Sequence, residues 1–128
     1  MLHLAPFSIF PTTTHADYFY GSVPCTRPLT EKEIADDYET NTGKVIIERF
    51  KGIVPMSMPA VLVAEHGPFT WGKSCEEAVF HAEVLEAVAR MAIETKNIAE
   101  PISISKNLLN KHYLRKHSKH AYYGQDSV

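Results

Sequence analysis

The chain has 128 residues, of which 45% are hydrophobic and 22% are charged, and its formal net charge is -2. These values are typical of about one globular domain and argue against a disordered tail or a fibrous protein. Thirteen Lys and Arg against fifteen Asp and Glu leave no excess of positive charge. The composition therefore favours a small-molecule partner over a nucleic acid or an anionic membrane.

The cysteines and the apolar segments indicate the cellular compartment of the protein. Cys25 and Cys75 lie far apart and outside any C-x-x-C arrangement, which argues against a disulfide scaffold and for a reducing compartment. No run of about 18 apolar residues exists, and the mildly apolar residues 1–11 have neither a basic flank nor a cleavage site. We therefore expect a cytoplasmic protein without a membrane span or a signal peptide.

The first part of the chain combines extended and helical patterns. Residues 12–20 are rich in β-branched and aromatic side chains, which predicts a strand. A capping-box pattern at residues 30–33 predicts a helix over residues 31–36. Gly43 is expected to interrupt the helical pattern. The apolar cluster that follows it fits either a helix or a strand, and we favour a second helix over residues 41–51.

The second part of the chain has clearer patterns. Two short segments, residues 60–65 and 68–73, are expected to pair as a hairpin, because the first contains a continuous apolar run typical of a strand buried on both faces. A second capping box begins the longest helical pattern, which predicts a helix over residues 75–97. Another amphipathic helix is predicted over residues 105–117, with a basic end.

Several polar side chains are candidates for chemistry, each with a plainer alternative. His66 follows the buried strand in a turn, where its imidazole could face a cleft or only solvent, and a single histidine is not a zinc site. Asp17, close to His15, could be a general base or a backbone cap. His112 also fits a basic helix end, and Tyr123 an aromatic tail packed on the surface.

Six strings in a fixed order carry a more specific signal. They are T-T-H-A-D-Y-F-Y-G (13–21), P-C-T-R (24–27), T-G-K-V-I (42–46), V-L-V-x-x-H-G-P-F-x-W-G (61–72), K-H-Y-L-R-K-H (111–117) and A-Y-Y-G-Q (121–125). Together they resemble the C-terminal half of the sugar-phosphate epimerases in the class II aldolase/adducin superfamily. The resemblance implies an α/β fold of the α+β type, with a mostly antiparallel sheet flanked by helices and truncated at its N-terminus.

The resemblance also implies a reaction and a site. Such zinc enzymes interconvert L-ribulose 5-phosphate and D-xylulose 5-phosphate in L-arabinose catabolism by breaking and remaking the C3–C4 bond. In this chain His66 corresponds to a ligand of Zn²⁺, Asp17 and Tyr123 to the acid–base pair, and His112 and Glu39 to residues lining the site. The family's active sites lie between the subunits of a cyclic homotetramer, so the implied partners are a sugar phosphate and further copies of the chain.

Parts of the family's pattern are missing from the chain. The His-x-His pair that supplies the other two zinc ligands belongs upstream of His15, and His3 is too close to replace it. Residues 1–11 match nothing in that pattern, so we assign the family domain to residues 12–128, and Ser118 stands where glycine is usual. We expect the chain alone to be inactive and to need a missing N-terminal half. A sugar-phosphate class II aldolase and a non-catalytic, adducin-like interaction fragment are the alternative functions.

Overall fold

The structure is a computed structural model that describes residue 9 and residues 11–122. Its elements in chain order are α1 (Thr13–Ala16), α2 (Glu31–Asp36), α3 (Tyr38–Arg49), β1 (Ala60–Val63), β2 (Gly67–Thr70), α4 (Cys75–Ile98) and α5 (Lys106–His117). The predicted hairpin and the helices predicted over residues 31–36, 75–97 and 105–117 are confirmed, with ends that differ by a few residues at most.

The sheet is an antiparallel hairpin with an extended segment beside it. Ala60 of β1 lies opposite Thr70 of β2. On the other edge of β1, Leu62 donates its backbone N–H to the carbonyl oxygen of Pro24 at 2.9 Å, and Thr26 donates to the carbonyl oxygen of Leu62 at 2.9 Å. This segment runs parallel to β1. Helices around a mainly antiparallel sheet agree with the predicted α/β class.

Side-chain caps define where two of the helices begin. The hydroxyl of Thr30 accepts from the backbone N–H of Glu33 at 3.2 Å, while the Glu33 carboxylate accepts from the backbone N–H of Thr30 at 2.8 Å. At the start of α4, the hydroxyl of Ser74 accepts from the backbone N–H of Glu77 at 3.2 Å. The predicted capping box is complete at α2. At α4 only the Ser74 half of the predicted box forms, because the Glu77 carboxylate accepts from the backbone N–H of Lys73.

Helix α3 differs from its prediction in two ways. It begins before residue 41 because the Asp37 side chain caps it. Gly43 lies inside the helix and does not interrupt it. The reason is tertiary: Asn41, Thr42 and Val45 are buried on one face, and burial of that face outweighs the roughly 1 kcal/mol that a glycine costs a helix interior.

The predicted strand over residues 12–20 is wrong. Residues Thr13–Ala16 form the single-turn helix α1, and turns follow it. Thr12 caps this turn, and the carbonyl oxygen of Thr12 accepts from the backbone N–H of Ala16 at 2.9 Å. His15, Ala16 and Phe19 are fully buried. The helical turn brings these three side chains to the interior. Its hydrogen bonds and the burial of these side chains outweigh the β propensity of the threonines and aromatic residues.

The hydrophobic core lies between the hairpin, α4 and the segment that follows α1. Its buried members are Ile9, Phe19, Val23, Met58, Ala60, Leu85, Val88 and Ala92. Helix α4 buries only part of its circumference. Val79, Ile93 and Ile98 on the same helix are exposed. No helix in the described part of the chain is long and apolar enough to cross a lipid bilayer.

Candidate active site

The carboxylate of Asp17 lies between α1 and α5 and accepts hydrogen bonds from two side chains of α5. Its Oδ1 is 3.0 Å from Nδ1 of His112, and one guanidinium nitrogen of Arg115 lies 3.1 Å and 3.2 Å from its two oxygens. Asp17 is only 9% exposed. Because an ionised carboxylate only accepts hydrogen bonds, these donors hold it in one orientation.

The main chain of Asp17 is held by α5 as well. Nε2 of His117 donates to the Asp17 carbonyl oxygen at 2.7 Å. The His117 ring stacks on Tyr113, with centroids 4.2 Å apart, and Tyr113 lies 5.0 Å from the ring of Tyr20. Burial raises the pKa of the Tyr113 phenol, so this phenol stays protonated near neutral pH. We refer to Asp17, His112, Arg115 and His117 as the Asp17 cluster.

Two members of the Asp17 cluster are not identified by the sequence patterns. These patterns place Arg115 and His117 only in the basic end of α5. A signal for Arg115 is present, because His112 and Arg115 are three residues apart and therefore share one face of α5. The contact of His117 with the Asp17 carbonyl oxygen has no such local signal, because it depends on how α1 docks on α5.

His66 lies in the turn between β1 and β2. The turn places Glu65 at φ 62° and Gly67 at φ 147°, and a φ in this left-handed region favours glycine. The His66 imidazole is exposed, and its centroid lies 5.2 Å from the ring of Phe69 and 6.4 Å from that of Tyr38. The turn thus presents an imidazole to solvent beside two aromatic rings.

The structure brings only some of the predicted site residues together. Asp17 and His112 are in contact, whereas Glu39 is exposed in the first turn of α3 and Tyr123 lies outside the described residues. No group of three or more His, Cys, Asp or Glu side chains could hold a metal ion within residue 9 and residues 11–122. Zinc takes three or four protein ligands, so the described residues alone do not form a zinc site.

His15 supports the turn that carries Asp17. It is fully buried, and its Nε2 donates to the carbonyl oxygen of Gly21 at 2.7 Å, whereas its Nδ1 has no hydrogen-bond partner in the described part of the chain. Burial lowers the pKa of His15, and the bond to Gly21 opposes that shift only in part. The ring is therefore a neutral Nε2–H tautomer, and its hydrogen bond runs to Gly21 and not to Asp17.

The Asp17 cluster has the chemistry of a positioned proton acceptor. The carboxylate can take a proton, and the His112 imidazole at 3.0 Å can exchange one with it. Arg115 keeps its charge at all working pH values, so the Asp17 carboxylate faces a permanent cation. A buried carboxylate that two donors orient can serve acid–base work, and the same contacts also hold α1 against α5.

Comparison with known proteins gives these residues a family context. The model of the Class II Aldolase and Adducin N-terminal domain matches residues 3–93. Over 114 residues the chain is 52% identical to L-ribulose-5-phosphate 4-epimerase UlaF from Salmonella paratyphi B and to the protein of that name from Salmonella paratyphi A. These matches cover 88% of this chain and 50% of each relative, so the chain spans about half the length of the curated relatives it matches. The chain belongs to the class II aldolase and adducin family, as its sequence strings predict.

Proposed function

We propose that the chain works as part of an L-ribulose-5-phosphate 4-epimerase, a zinc-dependent isomerase of L-arabinose catabolism in the cytoplasm. The reaction would break the C3–C4 bond of L-ribulose 5-phosphate and remake it with the opposite configuration at C4, which gives D-xylulose 5-phosphate. The observation that carries the proposal is the pairing of Asp17 with His112 and Arg115. It is supported by the 52% identity to relatives that are named as L-ribulose-5-phosphate 4-epimerases.

Proton transfer is the step that we assign to this chain. When the C3–C4 bond breaks, the C4 hydroxyl gives its proton to one group and becomes an aldehyde. After the aldehyde has rotated, the bond forms again on its other face, and a second group returns a proton to the aldehyde oxygen. We assign these two roles to Asp17 and Tyr123. The contacts of Asp17 support its role, because a carboxylate fixed by two donors keeps its geometry through both half-reactions.

We assign His66 to the metal and His112 and Glu39 to the lining of the site. The exposed imidazole in the hairpin turn fits a single nitrogen ligand, and the other ligands would come from a segment that the longer relatives possess. A bound divalent zinc supplies a Lewis acid that draws electrons from the ketose oxygens. In this arrangement the protein's own task is to hold the imidazole and to exchange protons.

We further propose the organisation of the whole enzyme. Residues 12–128 would form the C-terminal part of the family domain and residues 1–11 an additional segment. The small-molecule partner would be a sugar phosphate. Several copies of the chain would assemble, as the family resemblance implies for a homotetramer. A membrane or nucleic-acid partner is not part of this proposal, since the net charge is only -2.

The test is a chimaera that joins the N-terminal half of the Salmonella paratyphi B relative to residues 12–128 of this chain. With zinc, we expect the chimaera to convert L-ribulose 5-phosphate to D-xylulose 5-phosphate, whereas the 128-residue chain alone should give no turnover. Product formation is followed by a coupled assay specific for D-xylulose 5-phosphate.

A matched variant separates the outcomes. The chimaera with Asp17→Asn should retain its zinc and lose turnover by about 10²–10⁴-fold, because it removes a proton-transfer group and not a metal ligand. A folded, zinc-loaded chimaera that only releases a free aldehyde and ketone would favour a sugar-phosphate aldolase. One that binds zinc and has neither activity would contradict the enzymatic proposal and favour an adducin-like interaction fragment.

A further inference from the structure

A shallow groove runs along the solvent side of α5 and the turn after it. Its volume is about 340 Å³, and its lining includes Asn110, Lys111, Leu114, Ser118 and Tyr122. Its wall contains amides, cations, a hydroxyl and a phenol, and no carboxylate. This volume lies at the lower end of the roughly 300–1,000 Å³ found for small-molecule sites.

The charge around this groove differs from that of the whole chain. Residues 101–122 contain five lysine and arginine side chains and no Asp or Glu, while the chain has a net charge of -2. The five are Lys106, Lys111, Arg115, Lys116 and Lys119. The positive potential is therefore concentrated on α5, which favours an anionic ligand there.

The charge of Lys111 is available to a ligand. Lys111 makes no ion pair within the described residues, and its ammonium lies 5.4 Å from the centroid of the exposed Tyr122 ring. The contrast is Arg115, which lines the inner side of the groove and is bonded to Asp17. Lys111 is thus the cation in the groove that an anion can approach without breaking the Asp17 cluster.

The neutral donors in the groove are oriented by contacts outside it. The Asn110 Oδ1 accepts from the Tyr20 hydroxyl at 2.5 Å, which fixes the amide and leaves its NH₂ group as a donor. The hydroxyl oxygen of Ser118 accepts from the backbone N–H of His120 at 3.2 Å, so the Ser118 proton is free to be donated elsewhere. These donors stand beside Lys111, where phosphate oxygens or sugar hydroxyls can accept from them.

We propose that this groove, lined by Asn110, Lys111, Ser118 and Tyr122, binds a small phosphate monoester at a site separate from the Asp17 carboxylate. Lys111 pairs with the phosphate, Asn110 and Ser118 donate to its oxygens, and the Tyr122 ring covers the carbon skeleton. The proposal does not depend on the epimerase activity, because it concerns binding to the zinc-free chain.

The probes are inorganic phosphate and glycerol 3-phosphate, added to the ¹⁵N-labelled 128-residue chain at constant ionic strength in sodium chloride. We expect saturable shifts of backbone amide signals within residues 107–122, with glycerol 3-phosphate binding more tightly than inorganic phosphate. Lys111→Gln should weaken the affinity about two- to fivefold, as expected for loss of one exposed charge pair. Ser118→Asp keeps an acceptor for the His120 N–H but adds a negative charge, and it should weaken binding at least as much.

The matched control is Lys32→Gln, which removes the same charge from an exposed position of α2 and should leave the affinity unchanged. Equal weakening by Lys32→Gln and Lys111→Gln would overturn the proposal in favour of a diffuse ion atmosphere. Amide shifts that change with protein concentration and not with phosphate concentration would also overturn the proposal. An acidic surface of a second copy would then occupy the groove. If Lys111→Gln or Ser118→Asp unfolds, the other variant decides.

Discussion

Replacing Asp17 by Asn tests whether the Asp17 cluster holds α1 against α5. The amide keeps the size of the carboxylate and one oxygen acceptor, but it removes the negative charge that faces Arg115. The side chains of Asp17 and Arg115 are only 12% and 20% exposed, so solvent can replace the lost contact only in part. The guanidinium would then lie partly buried beside a neutral amide.

The expected cost follows from the contacts that change. A hydrogen bond to a charged group contributes about 1.5–3 kcal/mol, and removing one partner of a fully buried pair costs about 3–5 kcal/mol. The Asn variant retains an acceptor for one of the donors at 3.0–3.2 Å. We therefore expect Asp17→Asn to lower the free energy of unfolding by about 2 kcal/mol.

Urea unfolding followed by circular dichroism measures this change. The control is Glu86→Gln, which removes the partner of Arg90 in a pair of 3.9 Å whose side chains are 78% and 70% exposed. It should cost less than about 0.5 kcal/mol. A double-mutant cycle of Asp17→Asn with Arg115→Gln should show a coupling of about 1 kcal/mol or more. If Asp17→Asn costs no more than Glu86→Gln, the structural role that we give the Asp17 carboxylate is wrong.

Three further predictions concern pH and metal. Burial lowers the pKa of His15, so the unfolded chain binds a proton at this imidazole more readily than the folded chain does. The free energy of unfolding should therefore fall as the pH drops below about 6.5, by at most about 1.4 kcal/mol per pH unit. In unfolding experiments His15→Gln should reduce this dependence on pH. Hydrogen bonds from Arg27 and from Thr30 lower the pKa of Glu33 to about 2. In an NMR titration Arg27→Gln should raise this pKa only part of the way to 4.5, because the Thr30 bonds remain. In the zinc-loaded chimaera, metal analysis should show loss of zinc with His66→Ala and retention with Asp17→Asn; equal retention would disprove the ligand assignment.

The elements best predicted from the sequence are those whose signals are local. The capping residues Thr30 and Ser74 accept hydrogen bonds from backbone N–H groups three residues further on. The local sequence around each cap is therefore enough to predict where the helix begins. The error over residues 12–20 has the opposite origin. Threonine and aromatic propensity indicated a strand, but burial of His15 and Phe19 in a turn, visible only in the folded chain, determined the outcome.

The same distinction applies to the candidate site. The family strings indicated Asp17 and His112, and the structure brings these two into contact. Helical periodicity places Arg115 on the same face of α5 as His112, but no local pattern shows that Arg115 and His117 bind Asp17, because these contacts join residues that are 98 and 100 positions apart. Contacts over such distances in sequence depend on docking of whole elements and cannot be derived from local patterns.

The proposed reaction places a requirement on the assembly. Asp17 is fixed by donors from α5, while His66 belongs to the hairpin turn and contacts the rings of Tyr38 and Phe69. Moving the Asp17 carboxylate away from Arg115 would break a partly buried ion pair. The family resemblance implies active sites between subunits, and on that basis we propose that Asp17 keeps these contacts while it faces the His66 of a neighbouring copy. A substrate bound between copies would then meet His66 from one and Asp17 from the next, and turnover would require association even when each copy is fully folded.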